Sequence, residues 1–345
     1  MRKIFLSVIL IPLFLSCSTD FDVNADWQDI TIVYSLLSQK DSVHYVKVNK
    51  AFLGERDAYE MALQSDSINY NSDISVKLER WKNNETQASQ IIYLEKTNDI
   101  IKDSLDIYGN TGSFATDNNI IYKTTDSLFS DSDYKLVVEV PNKKEIVTST
   151  TGLISDFRIS LPTADRPPAI SLSDYKNNFK VEWFSAINGR LYQMTIRFNY
   201  LEIENKDTVK NFIDWKFPSQ LSQNLRIKNN LAEKMFQYVN GESFFEFVSL
   251  NIDENSNVIR VAQNLDFIFN VAGEELANYI QISQPSNSIS ETNPEYTNIT
   301  NGKGIFSCRY TKTVFDKKLT SQTIDSLAYG KYTKNLRFLN HNNGL

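Results

Sequence analysis

Residues 192–200 read YQMTIRFNY. Tyr192, Met194, Ile196, Phe198 and Tyr200 alternate with Gln193, Thr195, Arg197 and Asn199. Nine residues of strict period two put one row of large apolar side chains on a single face of an extended chain, which describes a strand with one buried side. Asn205-Lys206-Asp207 then supplies a turn into a second strand at Thr208–Trp215. Upstream, Phe179, Val181 and Trp183 alternate with Lys180 and Glu182 in the same way.

The pattern recurs on both sides. Tyr134, Leu136, Val138 and Val140 share a face, Pro141–Lys144 forms a turn, and Glu145–Thr151 returns as the partner strand. Further strands are expected at Ile30–Leu37, Ser42–Asn49, 74–79, Ile91–Glu95, Ile120–Thr124, Phe244–Ile252, Val258–Ala262, Leu265–Val271 and Ile305–Val314. Two helices suit the spacing of apolar residues, Asn229–Tyr238 (ended by Asn240-Gly241) and Glu274–Ile282, with a shorter one at Glu55–Leu63. Composition agrees, with 21 Phe and 17 Tyr favouring strands and 35 Asn favouring turns. The fold class expected is mainly β: an N-terminal immunoglobulin-like β-sandwich over 28–152, then a second β-rich domain over 153–335 with one or two short helices. The proline-rich stretch ending at Pro168 links them, and 336–345 is a polar tail.

The chain begins MRKIFLSVILIPLFLSC. Two basic residues lead an apolar run too short to span a bilayer as a helix, and Ser16 precedes Cys17, the layout of a secretory signal over 1–16 ending in a lipoprotein-type box. Cys17 is then the lipidated residue and 17–27 a polar tether. An ordinary signal with an incidental cysteine is the alternative. Loss of 1–16 removes Arg2 and Lys3 and takes the net charge from −6 to −8. An acidic chain with no basic block argues against nucleic acid as a partner.

There are 2 histidines and 2 cysteines. His44 shares a strand face with Val46 and Val48 and reads as a satisfied core residue, and His341 lies in the tail, so histidine-based catalysis has no candidate. Cys308 reads as a buried strand residue, with a Cys17–Cys308 disulfide as the alternative. Zinc ligand sets cannot be assembled from this inventory. Asp253–Asn257 alternates oxygen ligands but lacks the glycine and terminal glutamate of a calcium loop, so a hairpin turn is expected. No cofactor is implied. A carboxylate-pair hydrolase stays open, because acid separation is invisible in sequence. Trp81 falls on the polar face of its strand with Lys77 and Glu79, making it the candidate ligand-binding aromatic for a glycan. The Ser/Asn/Pro/Thr stretch 283–304, closing on Gly302-Lys303-Gly304, reads as a docking loop.

ITIVYSLLSQKDSVHYVKVNKAFLG (30–54), the 134–151 hairpin, the Trp183–Tyr200 region, EELANYIQISQ (274–284) and TNITNGKGIF (297–306) together resemble the Bacteroidetes lipoprotein family known as domain of unknown function 4249. Two details depart from it: Lys303 between the glycines, and the glycine-free turn Gln39-Lys40-Asp41. The resemblance implies an outer-membrane, surface-facing lipoprotein, companion to a TonB-dependent transporter, and the residue inventory adds the expectation of a non-enzymatic binding or docking role. A free-standing glycan- or protein-binding module is the other reading. Six Asp-Ser/Thr-apolar triplets, at 41, 66, 103, 126, 207 and 325, resemble the O-glycosylation signal of the same lineage and are expected in exposed turns.

Overall fold

The computed structural model describes residues 30–51, 58–70, 72–82, 85–105, 109, 110, 112, 114–205, 207–223, 225, 226, 231–283 and 295–343. Cys17, the tether 17–27 and residues 284–294 of the 283–304 loop lie outside them. The chain runs β1 (Thr31–Leu37), β2 (His44–Lys50), α1 (Ala58–Ala62), α2 (Ser65–Ile68), β3 (Ser75–Lys82), β4 (Gln90–Tyr93), β5 (Glu95–Thr97) and β6 (Ile121–Thr124). There follow β7 (Ser132–Glu139), β8 (Val147–Gly152), β9 (Ile159–Leu161), β10 (Ala169–Ile170), β11 (Asn178–Phe184), β12 (Leu191–Glu204), β13 (Asp207–Lys216) and β14 (Gln220–Leu221). The last third holds β15 (Lys234–Asn240), α3 (Gly241–Asn251), β16 (Ile259–Ala272), α4 (Glu274–Ser283), β17 (Gly302–Leu319), α5 (Ser321–Tyr329) and a 3₁₀ turn, Lys334–Leu336. The protein is mainly β.

One large sheet spans the molecule in the order β13-β12-β16-β17-β1-β2-β6-β5. Its centre is a parallel seam in which Thr31–Leu37 pairs residue for residue with Gly302–Cys308. Two smaller sheets, β4-β3-β7-β8 and β15-β11-β9, complete the fold. The expected boundary near residue 152 separates these smaller sheets, while the large sheet joins residues from both sides of it. The buried faces of all three meet in one apolar core. The row read from sequence on β12 is buried throughout. Trp183 of β11 packs edge-on against Phe269 of β16 at 5.3 Å, and Phe179 lies 6.1 Å from Phe267, the geometry that aromatic quadrupoles favour.

One sequence reading is reversed. Lys234–Asn240 is a strand and Gly241–Asn251 a helix, where a helix over 229–238 and a strand over 244–252 were expected. Seven consecutive residues of 234–240 pair with β11, and Leu231, assigned to a helix's apolar face, is 97% exposed. Asn240-Gly241 begins a helix instead of ending one. The Asn240 side chain accepts from the Ser243 N–H at 3.0 Å, an N-cap. A side chain at 241 would stand 2.0 Å from the Leu172 carbonyl oxygen, so only glycine fits. Phe244, Phe245 and Val248 then fall on one buried helical face. Pairing with β11 outweighs the local pattern. The Glu274–Ile282 helix is present as α4, whereas α5 was not anticipated; Thr320 caps it by accepting from Thr323 N–H.

The histidines also depart from expectation. His44 is buried, but neither ring nitrogen has a partner at hydrogen-bond geometry, so it is not satisfied. Burial lowers its pKa from 6.5, outweighing the opposing pull of Asp41 and of the Asp126 backbone. The unfolded chain therefore binds this proton at a pH where the folded chain does not. Stability from the neutral ring is complete above pH 6.5 and is lost as pH falls below it, by up to ~1.4 kcal/mol per pH unit. A His44→Leu variant is expected to flatten that arm of the urea-midpoint-versus-pH curve. An unchanged slope would assign the acid sensitivity to other groups. His341, placed by sequence in the polar tail, bonds through Nδ1 to Asp325 at 2.7 Å.

The triplets divide. Ser42, Ser104 and Ser127 are exposed outside regular structure, as expected. Ser67 and Ser326 lie in helices, where Ser326 donates to the Gln322 carbonyl, and Thr208 is in β13. Residues Asp253–Asn257 connect a helix to a strand and form no hairpin.

Candidate functional site

Trp81 lies in β3 on the face it shares with Lys77 and Glu79, as the alternation required. It is half-buried, opposite Asp133 of β7, and its indole N–H is buried without a partner. That is not an open stacking platform. On the same outer face, Tyr93 of edge strand β4 is the more exposed aromatic, at 65%.

The better site lies on the outer face of the large sheet. A groove of about 400 Å³ runs between α4 and the strands β1, β2 and β17. In β1 the inward row is Thr31, Val33, Ser35 and Leu37, which leaves Tyr34 and Leu36 on the outer face at 46% and 37% exposure. Tyr34 is flanked in register by Lys47 on β2 and Ile305 on β17, three neighbours across three strands. Tyr45 and Ile121 extend the floor, and Leu276 and Tyr279 of α4 form the wall. The helix is anchored at its start, where the Leu276 N–H donates to Ser307 Oγ at 3.1 Å. Gly273 just before it permits close approach, since a side chain there would meet Cys308 Sγ at 2.6 Å. Cys308 is thus the buried strand residue expected, a free thiol whose pKa burial pushes up to about 12.

The groove's polar groups sit at its ends. Asp41 accepts from Arg309 Nη2 at 2.6 Å. Lys47 Nζ donates to Asn119 Oδ1 and to the Ile120 carbonyl, both at 2.7 Å. Burial, reinforced by the nearby charge of Lys102, lowers Lys47 to about 8. The Tyr34 phenol is raised by burial, with Tyr279 and Glu295 adding to the effect, so it stays a hydrogen-bond donor. Sequence reasoning missed this site. The signal was there only in part: TIVYSLL shows which residues alternate, but not that a helix 240 residues away walls in the outward row.

A second, more open cavity of about 670 Å³ is lined by Phe157, Arg158, Phe184 and Lys312. Its acid, Asp156, is already paired. Burial would raise the Asp156 carboxyl, but Lys312 and Tyr310 bond to it and hold it below the usual range. Of the docking loop, the described part is seated on the fold: Thr300 bridges to Thr148 of β8, and Gly302–Gly304 belong to β17. Among the described residues, no group of three or more His, Cys, Asp or Glu side chains is placed to hold a metal, and no helix is long and apolar enough to cross a membrane.

No protein-family model matches this sequence, and no curated protein does. Among solved structures, the chain is similar to the C-terminal globular domain of an oligosaccharyltransferase from Pyrococcus abyssi. Identity is 12%, over 70% of this chain and 46% of that one, with a TM-score of 0.23. The chain thus spans less than half of that structure, and a likeness at this score carries no argument about fold or function.

Proposed function

We propose that this protein is a non-enzymatic binding subunit, held at the outer-membrane surface by lipid on Cys17, that captures a ligand in the α4 groove beside a TonB-dependent transporter. The observation that carries the binding role is the groove itself. It is a preformed concavity within the size range of small-ligand sites, lined by apolar and tyrosine side chains with a few polar groups at its ends. Among the described residues its lining holds one carboxylate, Asp41, which is engaged by Arg309, and this favours binding over a two-carboxylate hydrolysis. The anchoring and the transporter partner rest on the N-terminal sequence and the family resemblance. A half-buried Trp81 gives the glycan-module reading no comparable support.

The test is affinity capture of the tagged full-length protein from mild-detergent outer membranes. Co-purification of a β-barrel transporter in near-equal amount is expected, with the Cys17→Ala form recovered in the soluble fraction. Recovery of the wild type without a barrel would overturn the partnership, and membrane retention of Cys17→Ala would overturn the lipid anchor.

A further inference from the structure

Of the two cations lining the groove, Arg309 is paired with Asp41 and Lys47 is paired with no carboxylate among the described residues. Its ammonium carries three donors and spends two on neutral oxygens, those of Asn119 and Ile120. Lys102 stands near enough to oppose its charge and is in the same condition. It donates to the Ala115 carbonyl at 3.1 Å and sits over the Phe114 ring at 5.0 Å. Two half-buried ammonium groups held by neutral partners are a costly arrangement, because each gives up hydration without gaining a counter-charge. In a chain of net charge −6 with acids to spare, that is a local feature of this end of the groove. A ligand's anion placed there would supply the missing charge and accept the third N–H of Lys47. Beside it, Tyr34 and Ile305 extend from the same cross-strand row, with Leu36 two residues along β1. An apolar body would cover Tyr34 and Leu36, with Ile305, only 4% exposed, as the floor beneath them.

Resting on the ligand-capture reading above, we propose that the groove selects an amphipathic organic acid, its carboxylate bonded to Lys47 and its apolar body lying on Tyr34, Leu36 and Ile305. The cavity volume accommodates a molecule of roughly ten to twenty non-hydrogen atoms.

Three probes of one shape separate the charges: 4-phenylbutyrate, 4-phenylbutanol and 4-phenylbutylamine, titrated calorimetrically against the whole mature protein. The acid is expected to bind about tenfold or more tightly than the alcohol, and the amine more weakly than either. In Lys47→Met the acid and alcohol are expected to bind alike, at the alcohol's wild-type affinity. Should Lys47→Met fail to fold, the wild type still decides. Its preference for the acid is expected to shrink as pH rises through about 8, where Lys47 loses its proton. The other ionisable groups around the groove are Lys102, Tyr34, Asp41, Tyr45, Tyr279, Glu295 and Arg309. Equal binding of acid and alcohol, both lost in Tyr34→Ala/Leu36→Ala, would overturn acid selection and leave the groove as a ligand site. Tighter binding of the amine would overturn it as well. Failure of all three probes to bind the wild type at millimolar concentration would overturn the capture reading itself.

Discussion

Gly304→Ala is expected to destabilise the protein by more than about 3 kcal/mol, seen as a fall in the urea midpoint with an unchanged slope. Gly304 lies in β17 with φ +109°, a backbone conformation that side chains resist. Strain alone would cost about a third of that. The larger cost is steric, because a Cβ at this position would stand 2.1 Å from the Val33 carbonyl oxygen and 3.0 Å from its carbon. Both contacts are with backbone at the parallel seam, so no side-chain rotation relieves them. The seam must open, and with it the sheet that unites the two ends of the chain. Gly109→Ala is the control. Gly109 also has positive φ, at +81°, but among the described residues nothing lies within 4 Å of its Cβ position, and a cost of ~1 kcal/mol is expected. Equal losses in the two variants would show that seam packing at 304 contributes nothing.

Arg260→Leu is expected to cost ~3–5 kcal/mol. Arg260 is 3% exposed, and its guanidinium donates to Glu202 Oε1 at 2.8 Å, to the Leu336 carbonyl at 2.8 Å and to the Asp253 carbonyl at 3.0 Å. It thereby ties β16 to β12, to the exit of α3 and to the C-terminal 3₁₀ turn. Losing it leaves the Leu336 carbonyl without this donor inside the protein and Glu202 without its ion-pair partner, with Asn211 Nδ2 still donating to its other oxygen, and an abandoned buried group costs more than a made bond returns. Glu202 retains some solvent contact, so the ion pair itself contributes the smaller part. Removing the acid as well, in Arg260→Leu/Glu202→Leu, should therefore recover only about 1 kcal/mol in a double-mutant cycle. Full recovery would assign the effect to the charge pair and not to the carbonyls.

Much of the fold was legible because period-two alternation records burial directly. The β12 row, the β7–β8 hairpin and the turn at Asn205, whose φ is +50°, follow from local rules. The residues 229–252 misled because both of their patterns are real. Met235 and Val239 are spaced for a helix, yet they are buried as strand residues once β11 supplies a partner. The groove was illegible for a similar reason. It is made by the outer face of β1, whose strand neighbour on one side comes from the far end of the sequence, and by α4, which was recognised as a helix but not as a wall. Trp81 was placed on the correct face, but face alone does not give exposure. No pattern in 77–81 records that its indole is half enclosed.

The pairing of Thr31–Leu37 with Gly302–Cys308 also sets the order in which the molecule can be completed. A ribosome or export channel delivers the first strand long before the last, and through that interval β1 has only β2 to pair with. Its other edge waits for a partner about 270 residues downstream. Closing so long a loop costs entropy before any hydrogen bond is returned, which places this protein among slow, late-committing folders. During the wait the exposed edge of β1 is open to any other extended chain, the situation in which strand mispairing begins. A nascent chain stopped before residue 302 should thus resist folding, and completion should wait for the whole of β17, Gly302–Leu319, which pairs with β1 through its first half and with β16 through its second.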